Sequence, residues 1–165
     1  MRIIDAKANI ESYMSQLMEI EQTYNPKLRE SIEEKKGSYT LSGSIILLSL
    51  EGDIVLGERS GLALTDIIEE ELIQKIPNFS GYASRKTLYV HSFTVRPEYR
   101  GNGIGKNMAR SFIDMAKSMD YQSIIGHARE GASCHVNQQL GSRIIKPFEN
   151  WYDTGETYYF HELNI

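Results

Sequence analysis

A chain of 165 residues with 41% hydrophobic and 24% charged residues can bury about two-thirds of the surface its unfolded form exposes, which fits a single domain over 1–165 better than two. No apolar run approaches the roughly 20 residues of a membrane span, and 18 basic against 22 acidic residues, net −4, leave no footprint for nucleic acid. The single Cys134 closes no internal disulfide and Met1-Arg2-Ile3-Ile4-Asp5 meets charge too soon for a secretory leader, so a cytoplasmic protein is expected.

In chain order, Arg2 to Asp5 reads as a short strand. Asn9 reads as the N-cap of a helix carrying Ile10, Tyr13, Met14, Leu17 and Ile20 at helical spacing and ending before Pro26. Ser44 to Leu50 is a continuous apolar run, and the turn signal Glu51-Gly52-Asp53 leads into Ile54 to Leu64 as the second strand of a hairpin. Asp66 with Glu69 resembles a capping box for a helix bearing Ile68, Leu72 and Ile76 that Pro77 stops. Leu88 to Val95 is apolar on both alternating sets, as in a strand covered on both faces, and Pro97 ends it.

From Gly103, Ile104, Met108, Phe112, Met115 and Met119 recur every three or four residues, which predicts a long amphipathic helix to about Asp120. Ser123 to Ala128 is another buried strand and Ala132 to Leu140 a short helix closed by Gly141. Ile144 to Phe148 and Tyr158 to Leu163 are two final strands around Asp153-Thr154-Gly155. The order β-α-β-β-(α)-β-α-β-α-β-β describes an α/β (α+β) domain with a mixed sheet and helices on both faces.

Between Val95 and the long helix lies a turn with glycine at alternate positions: Gly101, Gly103 and Gly105. Glycine has no side chain to block a ligand, and the first turn of a helix offers unpaired N–H groups and a partial positive charge. A pyrophosphate fits such a place, and Arg100 and Lys106 add full charges beside it. A P-loop would need glycine where Arg100 stands and Ser or Thr where Asn107 stands; a dinucleotide fingerprint would need glycine at Lys106. What remains is a different phosphate cradle or a glycine turn with no ligand.

The run Val95-Arg96-Pro97-Glu98-Tyr99-Arg100-Gly101-Asn102-Gly103-Ile104-Gly105 resembles the acetyl-CoA signature of the GNAT superfamily, Arg/Gln-x-x-Gly-x-Gly, which Arg100, Gly103 and Gly105 match. Gln139-Leu140-Gly141-Ser142-Arg143 resembles the Lys-Leu-Gly-Phe-Arg helix end of that family, with Ser142 in the place of Phe. The resemblance implies the GNAT fold, with a mixed, mostly antiparallel sheet of about six or seven strands, and acetyl-CoA as cosubstrate. It also implies that the backbone of Phe93, Thr94 and Val95 pairs with the pantetheine arm. Amides of Arg100, Gly101, Asn102, Gly103, Ile104, Gly105 and Lys106 would hold the pyrophosphate. The acceptor implied is a primary amine on a small molecule or a peptide; no metal is expected, and the sequence is compatible with a homodimer.

Two shorter matches narrow the resemblance. Asn150-Trp151-Tyr152-Asp153-Thr154-Gly155-Glu156-Thr157-Tyr158-Tyr159 is similar to the tail of N-terminal protein acetyltransferases, including ribosomal-protein alanine acetyltransferases, and Ile20-Glu21 is similar to a step in their first helix. An α-amine acceptor follows from that likeness.

Amide formation needs a neutral amine and a tolerated thiolate, so a base and an acid are sought. His127, with an ordinary pKa near 6.5, stands where N-terminal acetyltransferases often carry a catalytic Glu, if two residues are missing after Arg129; without that gap Ile125 stands there. Glu21 and Glu130 are reserve candidates, and His91 reads as a hydrogen-bonded core residue. The family's general-acid tyrosine falls on Asn137, an amide that can only hydrogen-bond the cofactor. Tyr152 then becomes the expected acid, with water as the other option. The missing tyrosine also leaves open a non-catalytic acyl-CoA-binding module. Cys134 has no evident activating partner for a thioester intermediate.

Overall fold

The computed structural model describes all 165 residues. Its strands are β1 (Arg2–Asp5), β2 (Ile45–Glu51), β3 (Ile54–Ala63), β4 (Thr87–Val95), β5 (Ser123–Arg129), β6 (Arg143–Phe148) and β7 (Tyr158–Asn164). They form one seven-stranded sheet in the order β1-β2-β3-β4-β5-β7-β6. Only β4 and β5 pair in parallel; every other neighbouring pair is antiparallel.

The helices are α1 (Met14–Glu21), α2 (Ile32–Thr40), α3 (Glu70–Gln74), α4 (Phe79–Ala83), α5 (Ile104–Ser118) and α6 (Ala132–Gln139). Along β2 the side chains alternate between faces. Ile46, Leu48 and Leu50 pack with Met14, Leu17, Ile20 and Tyr39 under α1 and α2. Ile45 and Leu47 pack with Phe112 and Ala116 of α5 on the other face. A third cluster joins Leu64, Ile67, Ile76, Tyr82, Tyr89 and Phe160 beneath α3 and α4.

Three elements differ from the sequence expectation. The first helix begins as a 3-10 turn over Lys7–Tyr13 in which Asn9 is non-helical (φ −126°), so Asn9 caps nothing. The helix expected from Asp66 to Ile76 is a 3-10 turn at Leu64–Asp66 followed by short α3 and α4; Ile68 is 89% exposed and breaks the expected apolar face. Helix α2 was not anticipated. It is capped by a reciprocal pair, Ser31 Oγ accepting from Glu34 N and Glu34 Oε2 from Ser31 N, and its buried residues are Lys35 and Tyr39.

The parallel ladder is short. Thr87 to Val90 pair with Ser123 to Gly126 and the ladder stops there. Beyond that point Ser92 to Val95 pair only with β3, and His127 to Arg129 only with β7, so the sheet opens into a wedge. Gly126 stands at its apex, where a side chain would lie 2.9 Å from the Cβ of Val90. His91 is the extra residue of a bulge at the apex, since Ser60 pairs with Ser92 but Gly61 with Val90.

Candidate active site

A cavity of about 1250 Å³ occupies the wedge and is lined by residues from both faces of the sheet. Its floor at one end is the glycine turn. Gly101 (φ +81°) and Gly103 (φ +75°) adopt left-handed conformations, and a Cβ on either would meet nothing within 4 Å; that combination of dihedral and open space suits close approach of a ligand. Gly103 is the N-cap residue of α5, so the unpaired amides of the first turn face the cavity. Arg100 is folded back, its Nε donating to Val95 O at 2.9 Å. Asn102 closes the turn by donating to Tyr99 O (3.3 Å) and Arg100 O (3.4 Å). It does not line the cavity, whereas Arg100, Gly101, Gly103, Ile104, Gly105 and Lys106 do.

Alternation along the strands divides the wall into two faces. On the α5 and α6 side stand Val90, Phe93 and Gly126, with Arg59 of β3, the cross-strand partner of Phe93, and His161 of β7, the partner of Gly126. On the opposite side stand Tyr89, Ser92 and His127. The segment 22–30 and the loop 150–156 cover that side.

The second side carries a buried charge network. Lys35 Nζ, fully buried, lies 2.8 Å from Glu21 Oε2, 3.3 Å from Glu58 Oε2 and 3.6 Å from Glu30 Oε2. Tyr39 OH donates to the other Glu58 oxygen. Burial alone would lower the Lys35 pKa, but Glu58, Tyr39, Glu21 and Glu30 together outweigh it and hold the ammonium charged. At the edge of this network His91 Nε2 donates to Glu30 Oε1 at 2.9 Å, and beside it Tyr24 OH and Ser92 Oγ share a 2.9 Å hydrogen bond. Burial pushes Glu30 up, yet its hydrogen bond and charge interaction with His91, with Lys35 behind, bring it below the usual carboxylate range.

His127 and Glu21 have other duties than those expected of them. Nε2 of His127 faces Lys75 O at 3.1 Å, an acceptor, and therefore carries the proton; Nδ1 then accepts from Tyr89 OH at 3.0 Å. The ring is packed against Trp151, Phe148 and Phe160 at centroid distances of 4.3, 5.0 and 5.1 Å, and burial depresses its pKa to about 3. Neither nitrogen is free and the imidazolium is disfavoured, which corrects the expectation of His127 as base. Glu21 is 2% exposed and uses one oxygen for Lys35 and the other to accept from Glu30 N at 2.9 Å. It ties the segment before α2 to α1 and is not available as a base.

Tyr152 lies on the second side, in a loop where Asn150, Tyr152 and Asp153 all have positive φ (50°, 45° and 58°), a strained arrangement of the kind that gathers at binding sites. Its OH donates to Glu69 Oε1 at 3.3 Å, and burial followed by the Glu69 charge raises its pKa. Asn137 is on the first side and accepts from both Arg59 Nη atoms at 3.3 and 3.2 Å. Tyr152 thus does not replace a tyrosine missing at Asn137, because the two residues belong to opposite faces. Glu130, the other reserve, accepts from Tyr159 OH at 3.1 Å. Cys134 is buried and its thiol pKa is raised, by burial and then by Glu130, the reverse of an activated nucleophile.

The sequence reading passed over Arg59, Glu30, Tyr24 and His161 and set His91 aside. One signal was available: Glu58-Arg59 places two charges inside a strand whose other residues, Ser60 apart, are uncharged and small or apolar, and charged side chains are rarely fully buried unless paired.

Known proteins share this architecture. Ribosomal-protein-alanine N-acetyltransferase from Brucella melitensis superposes with a TM-score of 0.71 at 14% identity, covering 100% of both chains. NAA60 of Arabidopsis thaliana in complex with acetyl-CoA gives 0.72 at 14% identity over 99% of this chain and 97% of that one. Aminoglycoside 6'-acetyltransferase type Ii gives 0.72 at 15% identity with the same coverage. At such identities these likenesses speak for the fold, and no curated protein sequence matches. The model of the acetyltransferase (GNAT) family matches residues 14–141, more than half of the chain. With the glycine turn at the start of α5 and the opened β4–β5 wedge, that match makes the chain a member of the GNAT family of acetyltransferases.

Proposed function

We propose that the protein transfers the acetyl group of acetyl-CoA to a primary amine by direct attack, with His91 as the base. The observation that carries this reading is the His91–Glu30 pair on the cavity wall beside the wedge apex. Glu30 holds Nε2–H and leaves Nδ1 without a partner in the chain, the arrangement by which a carboxylate orients an imidazole for proton transfer. The pyrophosphate would lie on the amides of the 100–106 turn. The pantetheine arm would run along the free edge of Phe93, Thr94 and Val95 and bring the thioester to the bulge at His91.

The acceptor would enter from the side of the segment 22–30 and the strained 150–156 loop, opposite α5. An α-amino group with a pKa near 8 is about a tenth neutral at pH 7, whereas a lysine side chain near 10.4 is neutral about once in a few thousand. An imidazole base therefore suits the α-amine of a peptide or small aminoacyl compound, and the similarity of residues 150–159 to N-terminal acetyltransferases supports the same class.

Thiol release from acetyl-CoA, measured over a panel of α-amino peptides, lysine side-chain peptides and small polyamines, tests the reading. Turnover with α-amines is expected. Selective acetylation of ε-amines would overturn the acceptor class, and absence of thiol release with every amine would overturn the catalytic reading.

A further inference from the structure

On the α5 and α6 side of the wedge the cavity is walled by a guanidinium with no anion. Arg59 is 3% exposed. Its charged head is stacked between Phe93 and Phe112, 4.2 and 4.9 Å from the ring centroids, and its two Nη atoms share one neutral acceptor, Asn137 Oδ1. Nε has no partner. The groups facing it from β4, α5, α6 and β7 are Phe93, Phe112, Asn137 and His161, none of them a carboxylate; Glu58 next to it in sequence lies on the other face with Lys35.

His161, also 3% exposed, has no partner at either nitrogen. Burial, then the Arg59 charge, lowers its pKa to about 4, so it is neutral at physiological pH and retains one ring N–H to donate. A buried charge without a counter-ion is costly, and both side chains line the cavity. Such a pair of orphaned donors fits an anion that arrives with a ligand.

The topology says which anion. Arg59 reaches from β3 across the face of β4 to α6, beyond the wedge, and His161 is the register partner of Gly126 at the wedge apex. Arg59 stacks on Phe93, whose ring packs against Gly105 at the start of α5, while His161 carries the pair to the wedge apex, where the thioester would lie; the pyrophosphate has the amides of the turn. The pair also stands on the face opposite His91.

We propose that Arg59, held by Asn137 and assisted by His161, is the counter-ion of the coenzyme A thiolate. This rests on the acetyl-transfer reading. The amine nitrogen forms its bond to the thioester carbon on the His91 side and gives its proton to His91. The carbon–sulfur bond breaks, and its electron pair stays on sulfur as a thiolate facing the guanidinium. Charge stabilisation then replaces protonation of the leaving group, which accounts for an asparagine where a proton donor was sought.

The test is the titration of the thiol of coenzyme A bound to the protein, followed by the ultraviolet absorbance of the thiolate. In the wild-type complex the thiol is expected to titrate about one to three units below its value in free coenzyme A, as an opposite charge at contact distance requires. Arg59→Met, of similar length and apolar, should return the titration to the free value or above, with acetyl-CoA affinity kept; Arg59→Lys should fall between.

Equal titration in wild type and Arg59→Met, or a wild-type complex titrating at the free value, would overturn the proposal while leaving the donor site intact. Loss in Arg59→Met of binding to succinyl-CoA alone, with the thiol titration unmoved, would assign the guanidinium to an acyl carboxylate and overturn it as well. A wild-type protein that binds no acetyl-CoA would overturn the underlying reading and this one with it.

Discussion

His91 and Glu30 meet at 2.9 Å across 61 positions of sequence, one from a bulge in the central sheet and the other from the segment that leads into α2. If that pair moves the proton, His91→Ala should lower kcat/KM by about 10²- to 10⁴-fold near pH 7, the usual worth of a positioned base. The loss should shrink as the medium itself deprotonates the amine at higher pH. Glu30→Gln should cost less, because an amide oxygen still accepts Nε2–H while the charge that stabilises the imidazolium is gone; Lys35, Glu21 and Glu58 remain behind it. A pH–rate profile of both variants checks this, and an equal loss at all pH values would assign His91 to positioning.

Lys35 balances three carboxylates at 0% exposure. Lys35→Met leaves Glu21 and Glu58 buried with no counter-charge and should destabilise the fold by about 3–5 kcal/mol, as breaking a buried pair from one side does. Adding Glu58→Gln to Lys35→Met should recover part of the loss. Urea unfolding of the single and double variants measures it.

His127 predicts a pH dependence of stability. Its native pKa is lowered to about 3 from 6.5, so between those values the unfolded chain binds a proton that the native protein refuses. Stability from this group is complete above pH 6.5 and falls as pH drops towards 3, by up to about 1.4 kcal/mol per pH unit. His127→Phe should therefore show a flatter decline in unfolding free energy between pH 7 and pH 5, and should keep most of its activity. A loss of turnover matching that of His91→Ala would restore His127 to the chemistry.

Gly103 holds φ +75° over open space. Gly103→Val should cost about 1–3 kcal/mol of stability through the dihedral alone, and the isopropyl group would stand over the amides of the first turn of α5. The test separates the two effects: acetyl-CoA at 100 times its dissociation constant should stabilise the wild type by about 2.7 kcal/mol and the variant by much less at the same concentration. An undiminished ligand shift in the variant would remove the turn from the donor site.

The parts of this structure that sequence reveals are those written in consecutive residues. The glycine turn, the apolar runs of β2 and β4 and the period of α5 each depend on neighbours, and each is where its pattern put it. Helix α2 escaped because the side chains it buries are Lys35 and Tyr39, so its inward stripe is ionic and no apolar period marks it. The segment after Asp66 misled because a capping pattern was present without a buried face to follow it; Ile68 points outward. The His91–Glu30 pair was illegible for a different reason. A β-bulge that turns His91 toward Glu30 is a property of two strands in register, and nothing in the immediate sequence of either residue announces the other.

The wedge also has a consequence for backbone exchange. Where β4 and β5 part after Val90 and Gly126, each strand keeps one edge without a neighbour, and every second amide of 91–95 points into the opening. This is a sheet edge in the middle of a sheet, set inside the cavity and flanked by β5, so it is reached by a slender ligand and not by the flat edge of another sheet. In the free protein those amides should exchange their hydrogens with water far faster than the paired ones of Thr87 to Val90. A bound pantetheine arm would act as a missing strand and slow them selectively, a pattern legible residue by residue in a hydrogen-exchange spectrum recorded with and without acetyl-CoA.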